Sequence, residues 1–163
     1  MQGDFINLIF GIAVLLMSVV IHEVSHGFVA NMLGDPTARL AGRLTLNPLE
    51  HLDPIGSLLV PLVTFFTAGA IFGWAKPVPY NPYNLRNGRW GPALVALAGP
   101  GANLLIALIF SIIAHVALAS GVIPQSALGL MASIVYINIL ICVINLIPIP
   151  PIDGSKVLFA LLP

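Results

Sequence analysis

Charge is what this sequence has least of. Six basic and six acidic side chains in 163 residues amount to 7% of the chain, against roughly 25% in an ordinary globular domain. They cancel to a formal net charge of zero. No basic tract and no interleaving of basic with aromatic residues occurs, so nucleic acid is not a partner this composition supports. Cysteine is nearly absent as well. Cys142 stands alone in an apolar run, so no intrachain disulfide can form and cysteine usage does not indicate a redox compartment. The N-terminal stretch "MQGDFINLIF" has no positively charged n-region, and the apolar run after it is long enough to stay in a bilayer. A cleaved signal peptide is therefore not expected, and the first helix belongs to the mature protein. Repeats and low-complexity linkers are missing too, and the chain reads as one domain, 1–163.

What the sequence has in abundance is apolar residue: 58% of positions, with a mean hydropathy of +1.02. That combination indicates an integral membrane protein. A span takes about 20 mostly apolar residues, and 5–33, 55–73, 91–119 and 126–147 are candidates, with a fifth apolar start at 157–162. The expected fold is an all-α polytopic membrane protein of about four membrane segments. One of them, 55–73, either crosses or re-enters: Pro61, Thr64, Thr67 and Gly69 suit a broken path. In the loop 34–54, the alternation in "ARLAGRLTL" predicts a short β-ribbon after the first helix. The loop 74–90 is rich in Pro, Asn and Gly and should be irregular, with Trp74, Tyr80, Tyr83 and Trp90 suited to the membrane interface.

Against this background "HEVSH" stands out. Its histidines, His22 and His26, are four residues apart, which on a helix stacks both imidazoles on one face within reach of a single ion. Neutral imidazoles suit Zn²⁺, and a catalytic zinc site usually takes three protein ligands plus a water. Glu23 lies beside them as a candidate general base. Three ionisable residues clustered in hydrocarbon mark a functional site. For a third ligand the apolar spans offer little except Asp153 in "NLIPIPPIDGSKVL", where Pro148, Pro150 and Pro151 break the helix. From the residues alone, Asp153 is either that ligand or the N-cap of a turn.

Taken together, "HEVSH", "ALAGPGANL" and "NLIPIPPIDG", in that order over residues 22–154, resemble the site-2 protease family of intramembrane zinc metalloproteases. The resemblance implies one zinc per chain held by His22, His26 and Asp153, with Glu23 as catalytic base. It also implies cleavage of peptide bonds within transmembrane helices of other proteins, so the expected partners are membrane-embedded substrates and the lipid bilayer. Asn103 and Asn145 match the family's asparagines, as substrate-binding or oxyanion-stabilising groups; the alternatives are that Asn103 only bonds across helices and that Asn145 supports the metal ligands from behind. The form expected is a minimal one, without a PDZ-like or nucleotide-binding regulatory domain, although the family pattern would carry the last helix beyond Pro163.

Other polar residues read as ordinary. Gly99, Gly101 and Ala102 allow close helix approach, His115 is expected to bond to a neighbouring helix, and Glu50, His51 and Asp53 border a wet loop. A rival function is a membrane metal-ion transporter or channel using the same His and Asp residues as ion ligands. Glu23 separates the two, because a hydrolase requires it as base. If 55–73 re-enters, all six basic residues share one side, which the positive-inside rule makes cytoplasmic, and the active site lies nearer that side.

Overall fold

The computed structural model describes residues 2–68, 75–121 and 124–162. Its helices are α1 (Gln2–Met32), the single turn α2 (Thr37–Leu40), α3 (Val60–Ala68), α4 (Gly91–Ser120), α5 (Gln125–Asn145) and α6 (Asp153–Leu161). Among the described residues, three stretches are long and apolar enough to cross a membrane: Ile6–Met32, Gly91–Ser120 and Ala127–Asn145. They correspond to the expected spans 5–33, 91–119 and 126–147.

α4 is the central element and packs against α1, α5 and α6. Its buried positions include Ala93, Ala96, Gly99, Asn103 and Ala107, a seam of small residues that lets backbones approach where no hydrophobic effect drives helices together. Leu94, Leu97, Leu104 and Leu108 lie on its exposed side, as expected of a surface whose solvent is lipid. The helix starts where the Asn87 side chain accepts from Trp90 N at 3.0 Å, and it ends at Gly121, whose φ of +66° closes the last turn.

Two expectations need correction. A fourth span over 55–73 is not supported. Its described part consists of a π-helical stretch, Pro54–Leu59, and the nine residues of α3, short of the length a crossing needs. Lys76 N donates to His51 O at 2.9 Å, so residues 52–75 begin and end at one place. Gly69 and Trp74 lie outside the described residues. The β-ribbon is not supported either: among the described residues there is no strand. Thr37–Leu40 coil into a helical turn, and Gly42, with φ +68°, reverses the chain into an irregular stretch, 43–47. Side chains hold that stretch where a ladder was expected. Arg43 Nη2 donates to Lys76 O at 2.9 Å, and His51 Nε2 donates to Thr45 O at 2.8 Å. The neighbouring segment around Lys76 carries Pro77 and Pro79, which have no N–H to give a ladder.

The loop before α4 is tied to the end of α1 by one buried carboxylate. Asp35 accepts from Thr37 N (3.2 Å), Thr37 Oγ1 (2.6 Å), Asn81 N (2.6 Å) and Asn84 Nδ2 (2.9 Å). Alongside it, Arg86 N donates to Leu33 O at 2.9 Å. Gly34 makes the approach possible: its φ is +108°, and a Cβ there would sit 3.3 Å from Asn84 O. At the far end of the same loop, Arg89 donates to Ala160 O and Leu162 O at 3.0 and 3.1 Å, clasping the C-terminus of α6.

Burial works to raise the pKa of Asp35, but the donors from Thr37, Asn84 and Asn81 outweigh it and hold the carboxyl below its ordinary value. A carboxylate with a depressed folded pKa stabilises the fold above its unfolded pKa and loses that contribution as pH falls through the folded value. Thermal unfolding in detergent should therefore show a midpoint that drops below about pH 4, and the drop should be smaller for Asp35→Asn. Asp35→Ala should cost about 2–4 kcal/mol at neutral pH, since it removes several hydrogen bonds to a buried charge. An unchanged midpoint for Asp35→Ala would show that the loop is held by other contacts.

Candidate metal centre

The site starts from one helical turn. His22 and His26 project from the same face of α1 with ring centroids 4.7 Å apart and planes at 88°. Each ring is held by α4 through Nδ1: His22 lies 2.6 Å from Asn103 Oδ1, and His26 lies 2.7 Å from Val95 O. Both oxygens can only accept, so both Nδ1 atoms carry the proton and both Nε2 atoms face the other way. They converge on Asp153 Oδ2 at 3.1 and 3.0 Å. One ligand atom from each of His22, His26 and Asp153 lies within 4.8 Å of the others, and all three residues are buried.

Local sequence explains each placement. Val95, whose carbonyl takes His26, lies four residues before Gly99 on α4, on the same face of the helix. Gly99 lies directly beneath the two imidazoles, where a Cβ would fall 2.6 Å from His22 Nε2 and 2.6 Å from His26 Cε1. Asp153 is the first residue of α6, where the helix dipole favours a carboxylate. Gly154 follows because a Cβ there would collide with the Leu146 carbonyl.

Electrostatically the three residues form a group that could hold a cation. Burial works to raise the pKa of Asp153, but its contacts with His22, His26 and Lys156 outweigh that and hold the carboxyl well below the usual carboxylate range. Lys156 Nζ takes the other oxygen, Oδ1, at 2.9 Å and lies 5.9 Å from the centre of the Tyr80 ring. With both Nδ1 atoms committed to α4, an Nε2 atom can rest against a carboxylate only if it bears a proton or if a metal cation replaces that proton. Two imidazoles and a carboxylate are a donor set suited to zinc.

Glu23 accepts from Val78 N at 2.9 Å. It lines a cleft of about 220 Å³ together with His22, His26, Asp153, Asn145 and Lys156. Asn145 donates to Ile141 O on its own helix at 2.9 Å and stands at this cleft. Asn103 is placed differently. It is fully buried behind His22, and Nδ2 donates both to Ser18 O at 3.2 Å and to Asn138 Oδ1 at 2.8 Å. Both of its N–H groups are occupied, which leaves none for a substrate carbonyl or an oxyanion. His115 is on the exposed face of α4, in a groove with Tyr136. Glu50 is exposed, His51 bonds to Thr45 O, and Asp53 caps the π-helical stretch through Ile55 N and Gly56 N. None of these three joins the metal-ligand group.

Sequence reasoning missed Lys156, Ser18, Asn138 and the backbone N–H of Val78. Lys156 had a signal, lying three residues after Asp153 on a helix start. Val78 had none, because any residue but proline supplies that N–H.

A protein of Bacillus subtilis named "Putative zinc metalloprotease YwhC" is 37% identical over 154 residues, covering 91% of this chain and 67% of that protein. The chain belongs to the site-2 protease family. A Mycolicibacterium smegmatis protein named "Putative zinc metalloprotease Rip2" is 33% identical over 159 residues, 93% of this chain and 56% of that protein. Its Mycobacterium tuberculosis namesake is 31% identical over 156 residues, 96% and 57%. The chain thus spans between just over half and two-thirds of the length of these relatives. No family model matches it, and no solved structure does.

The two glycines of "AGPGANL" separate the centre from its surroundings. Gly99 touches both imidazoles, whereas a Cβ at Gly101 would meet nothing within 4 Å. Gly99→Ala should lower zinc affinity by roughly 10–100-fold, the scale on which disturbing a ligand's orientation acts, and Gly101→Ala should leave it unchanged. Equal zinc affinity in the two variants, by competition with a chelating dye, would contradict this geometry.

Proposed function

We propose that the chain is the core of an intramembrane zinc endopeptidase that hydrolyses peptide bonds in or near transmembrane helices of other proteins. The observation that carries this reading is the convergence of His22, His26 and Asp153 on one point, with Glu23 in the same cleft and three membrane-grade helices behind them. His22, His26 and Asp153 would hold the zinc, which when bound polarises a carbonyl and lowers the pKa of water to about 7. Glu23 takes a proton from the attacking water and passes it to the leaving amine. The N–H of Val78 keeps the Glu23 carboxylate turned into the cleft. Asn145, which lines the cleft, meets substrate in this reading, and Asn103 serves His22 instead. A metal-ion carrier would use the same three ligands but leaves Glu23 without a task, since its carboxylate is not among the converging atoms.

The test is a pair of substitutions in the purified protein, incubated with single-span peptides. Glu23→Gln should retain zinc and lose cleavage by a factor of about 100 or more, the usual contribution of a positioned base. Asp153→Ala should lose zinc. Full cleavage by Glu23→Gln would end the hydrolase reading, and undiminished zinc in Asp153→Ala would move the third ligand elsewhere.

The cleft, in this reading, opens near the cytoplasmic side. Arg39, Arg43, Lys76, Arg86, Arg89 and Lys156 all follow the C-terminal end of α1, precede α4 or belong to α6, and so share one end of the bundle. In a Cys142→Ser background, Arg39→Cys and Gly88→Cys should react with an impermeant thiol reagent from the cytoplasmic face, and Ser120→Cys from the opposite face. Labelling of Arg39→Cys and Gly88→Cys from different faces would refute this placement.

A further inference from the structure

Behind His22 lies a closed set of hydrogen bonds from three helices. Asn103 on α4 accepts from His22 Nδ1 and donates to Ser18 O and to Asn138 Oδ1. Asn138 on α5 in turn donates through Nδ2 to Ser18 Oγ and to Ile134 O, each at 2.9 Å. Ser18, Asn103 and Asn138 are buried, the two asparagines completely.

The direction of every bond in it follows from its two ends. The carbonyls of Ile134 and Ser18 can only accept. The amide of Asn138 must therefore turn its nitrogen to Ile134 and its oxygen to Asn103. The nitrogen of Asn103 then faces that oxygen and the Ser18 carbonyl, and its own oxygen is left for His22. An oxygen there requires the imidazole proton on Nδ1, which leaves Nε2 for the cleft. Turning either amide over would set oxygen against oxygen and N–H against N–H in a dry interior, where an unpaired polar group is most costly.

We propose that Asn138 is a positioning residue: through Asn103 it fixes the orientation of the His22 ring and keeps its proton on Nδ1, so that Nε2 is presented to the metal. His26 needs no such relay, because a backbone carbonyl holds it directly. The inference rests on the proposed function only in treating His22 as a zinc ligand.

The experiment follows the His22 Nδ1–H signal in ¹⁵N-histidine-labelled full chain in micelles, with and without added zinc, and measures the zinc dissociation constant in parallel. In the unsubstituted chain this proton should be shifted downfield and protected from exchange. In Asn138→Leu it should move upfield and exchange at least tenfold faster, with zinc affinity falling roughly 10–100-fold, while the His26 Nδ1–H signal stays in place as a control on the fold. Asn138→Asp, whose neutral carboxyl retains one acceptor and one donor, should restore both readouts. If Asn138→Leu leaves the His22 signal and zinc affinity unchanged, or shifts His22 and His26 alike, the proposal is overturned. Should Asn138→Leu fail to fold, Asn138→Ala carries the test: it withdraws both the oxygen that Asn103 Nδ2 bonds to and the nitrogen that bonds to Ile134 O, and an unaltered His22 signal there would count equally against the relay. Proteolysis is not among the readouts. A chain that cleaves nothing but shows this His22 response would refute the hydrolase reading and keep the inference.

Discussion

The constraint on which the rest depends is the contact between α1 and α4 at Gly99. Both imidazoles lie against the backbone of α4 there, and both send their Nδ1 protons into that helix. The close approach does two jobs at once. It removes the space in which the rings could rotate, and it places an acceptor where each ring needs one, so that Nε2 of both faces outward. The small residues along α4 and the asparagine one turn after Gly99 serve that one surface. Without a side-chain-free position beneath the rings, neither hydrogen bond could be this short.

The loop between α3 and α4 completes the site from the other side. Asp35 draws Asn81 and Asn84 onto the end of α1, and the same stretch of chain brings the Val78 N–H to Glu23. The helix that carries both histidines and the segment that meets the candidate base are thus joined through one buried carboxylate four residues beyond Asn31. Arg89 performs a similar service for α6, because its guanidinium holds the far end of the helix whose first residue is Asp153. The centre is therefore braced by polar contacts in the loops as well as by helix packing.

Much of this was legible in the sequence, for identifiable reasons. Long apolar runs specify helices wherever backbone groups have no other partner, so α1, α4 and α5 could be read directly, each boundary within a few residues. His22, His26, Glu23 and Asp153 were legible because ionisable residues are conspicuous in such runs and because four-residue spacing has one geometric meaning on a helix. What could not be read depended on partners distant in the chain. Gly99 and Gly101 are chemically identical, and only the helix facing them gives one a task. Asn138 looked like any polar residue in a span. Asn103 looked like a group for substrate until its neighbours were known to occupy all of its donors. The alternation in "ARLAGRLTL" misled because a period of two shows that a segment can form a strand, whereas a strand also requires a neighbour with N–H groups to share.

His22 and Asp153 are separated by 131 positions along the chain. As the chain is made, the two histidines come early, on α1. The third member of the group is synthesised only after α4 and α5. Two histidines are one short of the three protein ligands that a catalytic zinc site usually takes, and the carboxylate that completes the set comes last in the chain. The converging group therefore cannot exist in a half-made chain: it forms only once the helices that shape the cleft are present.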